Sequence, residues 1–399
     1  MIAPQPYFEP RGTPISVNQR LAALTALGHK VDLATYHLGE DTPMNGLRIH
    51  RTLRLGFIRS VRIGPSPAKL ILDVFLFLKA LNLLLKNRYD VIHTHEEACF
   101  MGMVLAPVFN CLHFYDMHSS LPRQLENFGY GNFGPIVRLF ELLERWVLRT
   151  ADAVITIGDD LDEYVRLIHP EASIHRIENR PVLSPDPNGA SGQIDQLSKT
   201  LKKQGRSIVV YTGSFERYQG LELLVDSLQA VSSESLRPFL ILVGGTDDQV
   251  TQLRLRAERR GVADQCLLAG RVPIAEAFSY LNIADIVVSP RIAGTSVPLK
   301  IYSYMSAGKP ILASNIPAHT EVLDESVAVL VEPTVQGLSA GLMRLLQDPA
   351  LRKELATNSR STAARLFGSA AYLGKVEALY RDGRHPTGVL SGASSSVDE

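Results

Sequence analysis

The chain has 399 residues, 45% hydrophobic and 21% charged, which is too long for one ordinary core and typical of two α/β domains. Its 41 lysines plus arginines equal its 41 aspartates plus glutamates, so no global field draws it to nucleic acid. Cys99, Cys111 and Cys266 show neither metal-ligand spacing nor a disulfide framework, and neither a signal peptide nor an apolar run of about 18 residues is present. The expectation is a cytoplasmic protein, soluble or peripheral at the inner face of a membrane.

In chain order, Met1 to Pro4 reads as the last residues of a buried strand, as though the domain's first strand were truncated. Gly12 lies between this strand and a helix over Pro14 to Leu27, where backbone can approach a ligand closely. Val31 to Thr35 is the next strand. Leu47 to Ile63 carries Arg48, Arg51, Arg54, Arg59 and Arg62, and Leu70 to Leu85 reads as a strongly apolar helix. A basic stretch beside such a helix is either a membrane-surface patch or a buried helix with arginines on a solvated strand edge. The runs 89–96 and 112–120 read as strands ending in polar residues, which places His95, Glu96, Asp116 and His118 near one rim, suited to acid–base work or recognition of sugar hydroxyls. No HxxxH or CxxC spacing supports a metal there. Residues 123–150 read as helical with a glycine-rich interruption at 129–134, and 151–157 and 174–177 as strands.

The composition then shifts to a Ser/Pro/Gly-rich linker, and the alternation of strand and helix restarts at Ser207. Gly213, Gly244, Gly270 and Gly294 each follow a strand, so four glycine-bearing loops converge on one rim. None matches GxGxxG, which disfavours a dinucleotide oxidoreductase. In GTSVPLKIYSYMSAGKP (294–310) the pattern predicts a helix over Pro298 to Ala307, capped by Ser296 and stopped by Gly308. Its start, with Thr295, Ser296 and the ammonium of Lys300, suits an anion, for which phosphate is the natural guess. The other reading is a plain turn with a solvated lysine. Helices over 336–347, 349–367 and 370–382 follow, and 385–399 reads as disordered.

Taken in order, the Gly12 loop, GHKV (28–31), YDVIHTH (89–95), DMHS (116–119), ADAVITI (151–157), Asn179, YTGSFERYQGLELL (211–224), LVGG (242–245), LAGRV (268–272) and the 289–314 block make the chain resemble the GT-B glycosyltransferases, family 4 of the retaining enzymes. The resemblance implies an α/β GT-B fold: two Rossmann-like domains with parallel sheets facing a central cleft. The expected division is an acceptor-side domain at 1–183, a linker at 184–205, a nucleotide-sugar domain at 206–369, and a terminal helix at 370–384 crossing back to the first domain. It implies hexosyl transfer, with retention and without a metal or other cofactor, from a nucleotide-diphosphate sugar to a hydroxyl of a glycan or lipid-linked acceptor; the basic and apolar stretch of the first domain adds the expectation of peripheral membrane contact there.

His118 falls on the family's reaction-centre histidine, with Lys300 the second catalytic candidate. The diphosphate-binding basic pair falls on Ser214 and Gln219, and the two glutamates that bind sugar and ribose fall on Thr295 and Ser303, so the chain departs from the pattern at all four positions. An active enzyme then needs a compensating cation, and Arg217, Arg291 and Lys300 are the candidates. The expected donor side comprises Gly213, Ser214, Arg217, Gln219, Gly244, Arg271, Val272, Arg291, Gly294, Thr295, Ser296 and Ser303. The expected acceptor side comprises Gly12, His95, Glu96 and Asp116. The alternatives are a non-catalytic nucleotide- or sugar-binding subunit and an isomerase of the nucleotide-sugar 2-epimerase kind.

Overall fold

Strands of a parallel sheet are buried on both faces and read as short apolar runs, each followed by a helix. The computed structural model contains two such sheets and describes residues 1–9, 12–61, 66–125, 134–182, 192–231, 236, 238–294 and 296–382. The first domain runs β1 (Ile2–Ala3), α1 (Gly12–Ala26), β2 (Val31–Thr35), β3 (Leu47–Arg51), α2 (Pro67–Lys86), β4 (Val91–His95), α3 (Cys99–Phe109), β5 (Leu112–Met117), α4 (Leu121–Leu125), α5 (Gly134–Thr150), β6 (Ala153–Thr156), α6 (Asp159–Ile168) and β7 (Ile174–Arg176). The strands are all parallel in the order β3-β2-β1-β4-β5-β6-β7, so the two-residue β1 lies in the middle of the sheet. Helices α2, α3, α5 and α6 cover one face, burying Leu72, Leu76, Leu105, Val147 and Val165. Val17, Leu21 and Leu24 of α1 cover the other.

The second domain runs α7 (Gly192–Lys203), β8 (Ser207–Thr212), α8 (Leu221–Val231), β9 (Pro238–Val243), α9 (Asp247–Arg259), β10 (Cys266–Gly270), α10 (Ile274–Ile283), β11 (Ile286–Ser289), α11 (Leu299–Ser306), β12 (Ile311–Ser314), α12 (Pro317–Thr320), β13 (Ala328–Val331), α13 (Val335–Gln347) and α14 (Pro349–Phe367), and is followed by α15 (Ser369–Asp382). Its parallel order is β10-β9-β8-β11-β12-β13. In both sheets the order reverses beside the first strand, and the crevice at the carboxyl ends near that reversal is where open α/β sheets take ligands.

Two expectations need correction. Residues 192–203 are not linker but helix α7, because Ile194 and Leu201 share a face and bury into the second core. Ser296 caps no helix: α11 starts at Leu299 with Pro298 at its cap position and no side-chain cap bond, since the residue before a proline is pushed out of the helical region. Thr295, the interruption at 129–133 and the tail from 385 lie outside the described residues.

Helix α15 packs on α1 and β7, and Tyr372, Val376, Leu379 and Tyr380 belong to the first domain's core. An ionised carboxylate cannot be placed there without a partner. Val376→Asp is therefore expected to destabilise by on the order of 3 kcal/mol, read as a lowered midpoint in urea unfolding; an unchanged midpoint would detach α15 from that core.

The ends of β11 and β12 are pinned by His319, which is fully buried. Its Nδ1 meets the Ser314 carbonyl at 2.8 Å and so must carry the proton, leaving Nε2 to accept from the Ser289 hydroxyl at 2.9 Å. Burial first, then Arg291 and Lys300, lowers its pKa to about 4 against the pull of the Ser314 carbonyl. In the unfolded chain the ring protonates near pH 6.5, so its contribution to stability is intact above that pH and is lost as pH falls towards 4. The stability difference between wild type and His319→Gln should shrink by up to about 3 kcal/mol across that interval; a difference independent of pH would refute this.

Candidate functional site

At the carboxyl rim of the second sheet, glycines let the loops after β8, β9 and β10 interlock. Gly213 N–H donates to the Val243 carbonyl at 3.0 Å and Gly244 N–H to the Gly270 carbonyl at 2.7 Å. Gly244 has φ +125°, and a Cβ there would lie 1.9 Å from the Gly213 oxygen, so no other residue fits. Lys300 reaches into this rim from the first turn of α11. Its Nζ lies 3.8 Å from the centroid of the Tyr211 ring and donates to Gln219 Oε1 at 3.0 Å. A Cβ on Gly213 would come within 2.8 Å of the same Nζ.

Arg291, after β11, stands beside it. Its Nη1 donates to the Ser296 carbonyl at 2.9 Å, its guanidinium lies over the Tyr218 ring, and Gly294 leaves room for it, since a Cβ there would meet Nη2 at 2.3 Å. Burial pushes the Lys300 pKa well below its ordinary value, and the Arg291 charge adds to the effect; burial also lowers Arg291. Neither cation is paired with a carboxylate among the described residues, and Arg291 Nε is buried without a partner. Two partly desolvated cations with no acid between them favour an anion.

Other donor-side residues lie differently. Ser214 is exposed, and its carbonyl accepts from the Tyr211 hydroxyl. Arg217 lines a cavity of about 280 Å³ with α8 and α9 residues such as Glu222 and Arg256. Arg271 is exposed at the end of β10, and Val272 packs against the core. Ser303 is buried, and its hydroxyl both donates to the Val182 carbonyl and accepts from the Val182 N–H, each at 3.2 Å. The position where the resemblance implies a ribose contact therefore ties down the chain entering from the first domain instead of presenting a polar group to a ligand.

In the first domain the rim residues divide. His95 and Asp116 are fully buried, which corrects their expected place among acceptor contacts. His95 opposes Asp116 across β4 and β5, so parallel register brings both to one side. Asp116 Oδ2 accepts from Arg20 Nε at 3.0 Å and lies 3.2 Å from His93 Nε2, and Oδ1 lies 3.4 Å from His118 Nε2. His93 Nδ1 in turn lies 2.8 Å from the Tyr380 hydroxyl on α15. Desolvation pushes the Asp116 pKa up, but Arg20, His95 and His118 outweigh it and hold the carboxyl well below the usual range. Burial lowers the pKa of His93 and, more strongly, that of His95, against the pull of Asp116.

His93, His95 and Asp116 offer three atoms close enough to hold a cation. The guanidinium of Arg20 already supplies the positive charge on the same carboxylate oxygen, so the donor set does not suit a metal. Only His118 of this group reaches the partly exposed rim, with its side chain 9% accessible. Glu96 lies beside it in sequence order on the β4 rim, at a positive φ of 47°, held by Thr13 Oγ1 at 2.9 Å. Gly12 opens α1 one residue before Thr13. Arg20, His93 and Tyr380 were not among the expected site residues. Arg20 interrupts the apolar face of α1 between Val17 and Leu21, and His93 shares a strand face with His95, so both left a signal in the pattern; Tyr380 left none.

The comparisons with known proteins agree with this architecture. The family described as glycosyl transferases group 1 matches residues 193–362, and the glycosyl transferase 4-like domain matches residues 11–180. A phosphatidyl-myo-inositol mannosyltransferase of Mycobacterium tuberculosis is 24% identical over 387 residues, covering 92% of each chain. An alpha-D-kanosaminyltransferase of Streptomyces kanamyceticus is 21% identical, covering 60% of this chain and 62% of its own. Among solved structures, a sucrose-phosphate synthase from Thermosynechococcus elongatus superposes with a TM-score of 0.76 at 22% identity, over 96% of this chain and 98% of that one. Anabaena Alr3699/HepE in complex with UDP superposes with a TM-score of 0.71 at 16% identity and the same coverage. With one family on each sheet, near full-length relatives that are transferases, and the same two-domain fold, the chain belongs to the GT-B glycosyltransferases.

Proposed function

We propose that the protein transfers a hexosyl group, with retention, from a nucleotide-diphosphate sugar bound on the second domain to a hydroxyl of a glycan or lipid-linked acceptor at the first, whose helices contact a membrane peripherally. The observation that carries this is the position of Lys300. The resemblance puts one member of the diphosphate-binding pair at residue 219, where this chain has glutamine, and the Lys300 ammonium lies 3.0 Å from that glutamine's amide oxygen. The charge missing from the loop after β8 is thus supplied from α11 to nearly the same place. Expelling a nucleoside diphosphate builds negative charge on the leaving group, which Lys300 and Arg291 are placed to stabilise. His118, whose Nε2 lies 3.4 Å from Asp116 Oδ1, is the first-domain group for the transferred sugar.

One observation favours a second reading, a nucleotide-binding subunit without turnover: the Ser303 hydroxyl is engaged by Val182, so the ribose loses a direct partner there. Separate measurement of binding and turnover decides between the two.

A panel of nucleoside diphosphates and nucleotide sugars is expected to raise the melting temperature. A ligand at about a hundred times its dissociation constant adds roughly 2.7 kcal/mol. Lys300→Ala should abolish the shift, and adding Gln219→Lys to that variant should restore it, because the ammonium returns to the same place from the other element. No shift with any nucleotide, or no rescue, would refute the assignment.

For the nucleotide sugar that binds, His118→Ala should lower turnover by about 100-fold or more while leaving the melting shift in place. Equal loss of both would make His118 a structural residue, and a wild-type protein that binds without turnover would favour the second reading.

A further inference from the structure

The amino end of α6 has no cap of its own. The first N–H groups of a helix need acceptors, which a serine, threonine or aspartate at the cap position normally supplies. Here the cap position is Gly158, in extended backbone at φ −175°, with no side chain to accept. The acceptor comes instead from the other domain: Asp159 N–H donates to Glu321 Oε1 at 2.9 Å. A Cβ on Gly158 would collide with both oxygens of that carboxylate, so glycine removes a local cap and clears the space for a foreign one. A carboxylate at the positive end of a helix dipole is favourably placed.

The helix end decides where this carboxylate rests. Glu321 is half-buried, and burial raises its pKa while the Asp159 N–H pulls it back. Of the first-domain charges around it, Asp159 and Glu178 repel it, and Arg176 attracts it but is already engaged by Asp159 and Asp162. Both sides of the contact lead to a rim. On the second domain the Glu321 N–H closes the turn of α12 on the His319 carbonyl, and the His319 ring braces this turn against Ser289 and Ser314, the last residues of β11 and β12. Arg291 and Lys300 lie in the segment between those two strands. On the first domain, Tyr164 of α6 donates to Glu144 Oε2 at 2.5 Å, and the buried Glu144 also accepts from Ser120 Oγ at 2.9 Å and Leu121 N–H at 2.8 Å. Arg123 of α4 reaches Asp160 of α6 at 3.0 Å. Ser120 stands two residues past His118.

We infer that Glu321 is a positioning residue: by capping α6 from the opposite domain, it fixes how closely the rim that carries Lys300 and Arg291 approaches His118. It joins the support of one rim to the support of the other. The cap stands by itself, while its effect on turnover rests on the transferase reading. Transfer between two domains needs reacting groups held at a set distance, and a misplacement of about 1 Å can cost about 100-fold in rate. Gly158 serves the same role from the first domain by leaving the space open.

Hydrogen exchange and kinetics on the full-length protein test this together. Glu321→Ala and Gly158→Ala should each speed amide exchange over residues 158–162 by about tenfold or more and lower kcat by about tenfold or more. The melting shift with nucleotide should stay, because Lys300 and Arg291 are untouched. Glu321→Gln should keep wild-type exchange and kcat, since an amide oxygen still accepts from the Asp159 N–H. The double variant should be no worse than either single one, as both remove the same contact. Unchanged exchange in Glu321→Ala overturns the inference. So does faster exchange with wild-type kcat, or an equal loss in Glu321→Gln, which would give the charge a chemical role. A wild type that binds nucleotide without turnover fails the transferase reading and takes the positioning role with it, and exchange over 158–162 then reports the cap alone.

Discussion

Asp116 carries its charge inside the first sheet, where no solvent screens it. An isolated carboxylate there would cost several kcal/mol, so its neighbours are arranged to supply countercharge and hydrogen bonds. Arg20 from α1 supplies the countercharge and a hydrogen bond and His93 from β4 a second contact at 3.2 Å, while His95, also from β4, and His118, from beyond the end of β5, stand 3.6 and 3.4 Å away without a hydrogen bond. Tyr380 extends the chain of contacts to α15, the element that follows the second domain. One buried charge thus fixes the orientation of α1, the register-paired β4 and β5, and the returning helix against one another. The histidine at the rim is the outermost member of a stack of rings, His93 on His95 at 5.0 Å and His95 on His118 at 5.7 Å. Its place is set from within the core and not by the loop it sits on.

The rim of the second domain follows the opposite rule. There the charges are cationic, Lys300 and Arg291, and the described residues provide no acid to neutralise them. Aromatic faces take the place of carboxylates, Tyr211 under the ammonium and Tyr218 beside the guanidinium. Cation–π contact is favourable but leaves the net charge intact. A buried ion pair would have been more stable and useless for binding an anion, so the second rim keeps its positive field while the first consumes its own. The two domains contribute different electrostatics to a shared cleft for this reason.

Much of this was written plainly in the sequence and some was not. Runs such as Ser207–Thr212 and Ile311–Ser314 are short, apolar and followed by glycine or polar residues, which is how strands buried on both faces read. Helix α7 was hidden because the neighbouring Ser/Pro/Gly composition dominates the window, although Ile194, Leu197 and Leu201 keep helical spacing. Lys300 was legible as a cation near Gly294 from spacing alone. Its meeting with Gln219 was not, because three strands and several helices separate them in sequence and only the strand order β8 beside β11 brings them together. Likewise Asp116 and His93 are met by Arg20 of α1 and Tyr380 of α15, and contacts from elements so distant in sequence are not announced by the strands themselves.

Ser303 makes a structural contact at a position where the family resemblance implies a ligand contact. A carboxylate at this buried position would face the backbone of Val182, whose carbonyl repels it and whose single N–H could satisfy only one of its oxygens. A hydroxyl can donate to the carbonyl and accept from the N–H at once, as observed. The segment leading out of the first domain is therefore held against α11 at the helix that carries Lys300. A second tie, from Asp159 N–H to Glu321 at 2.9 Å, joins the start of α6 to the residue after α12. Both ties use elements at the carboxyl ends of their sheets, so the same loops that would hold the substrates also hold the domains together. The Ser303 hydroxyl both donates to and accepts from Val182, so this side chain fixes the approach of α11, and with it Lys300, to the segment leaving the first domain.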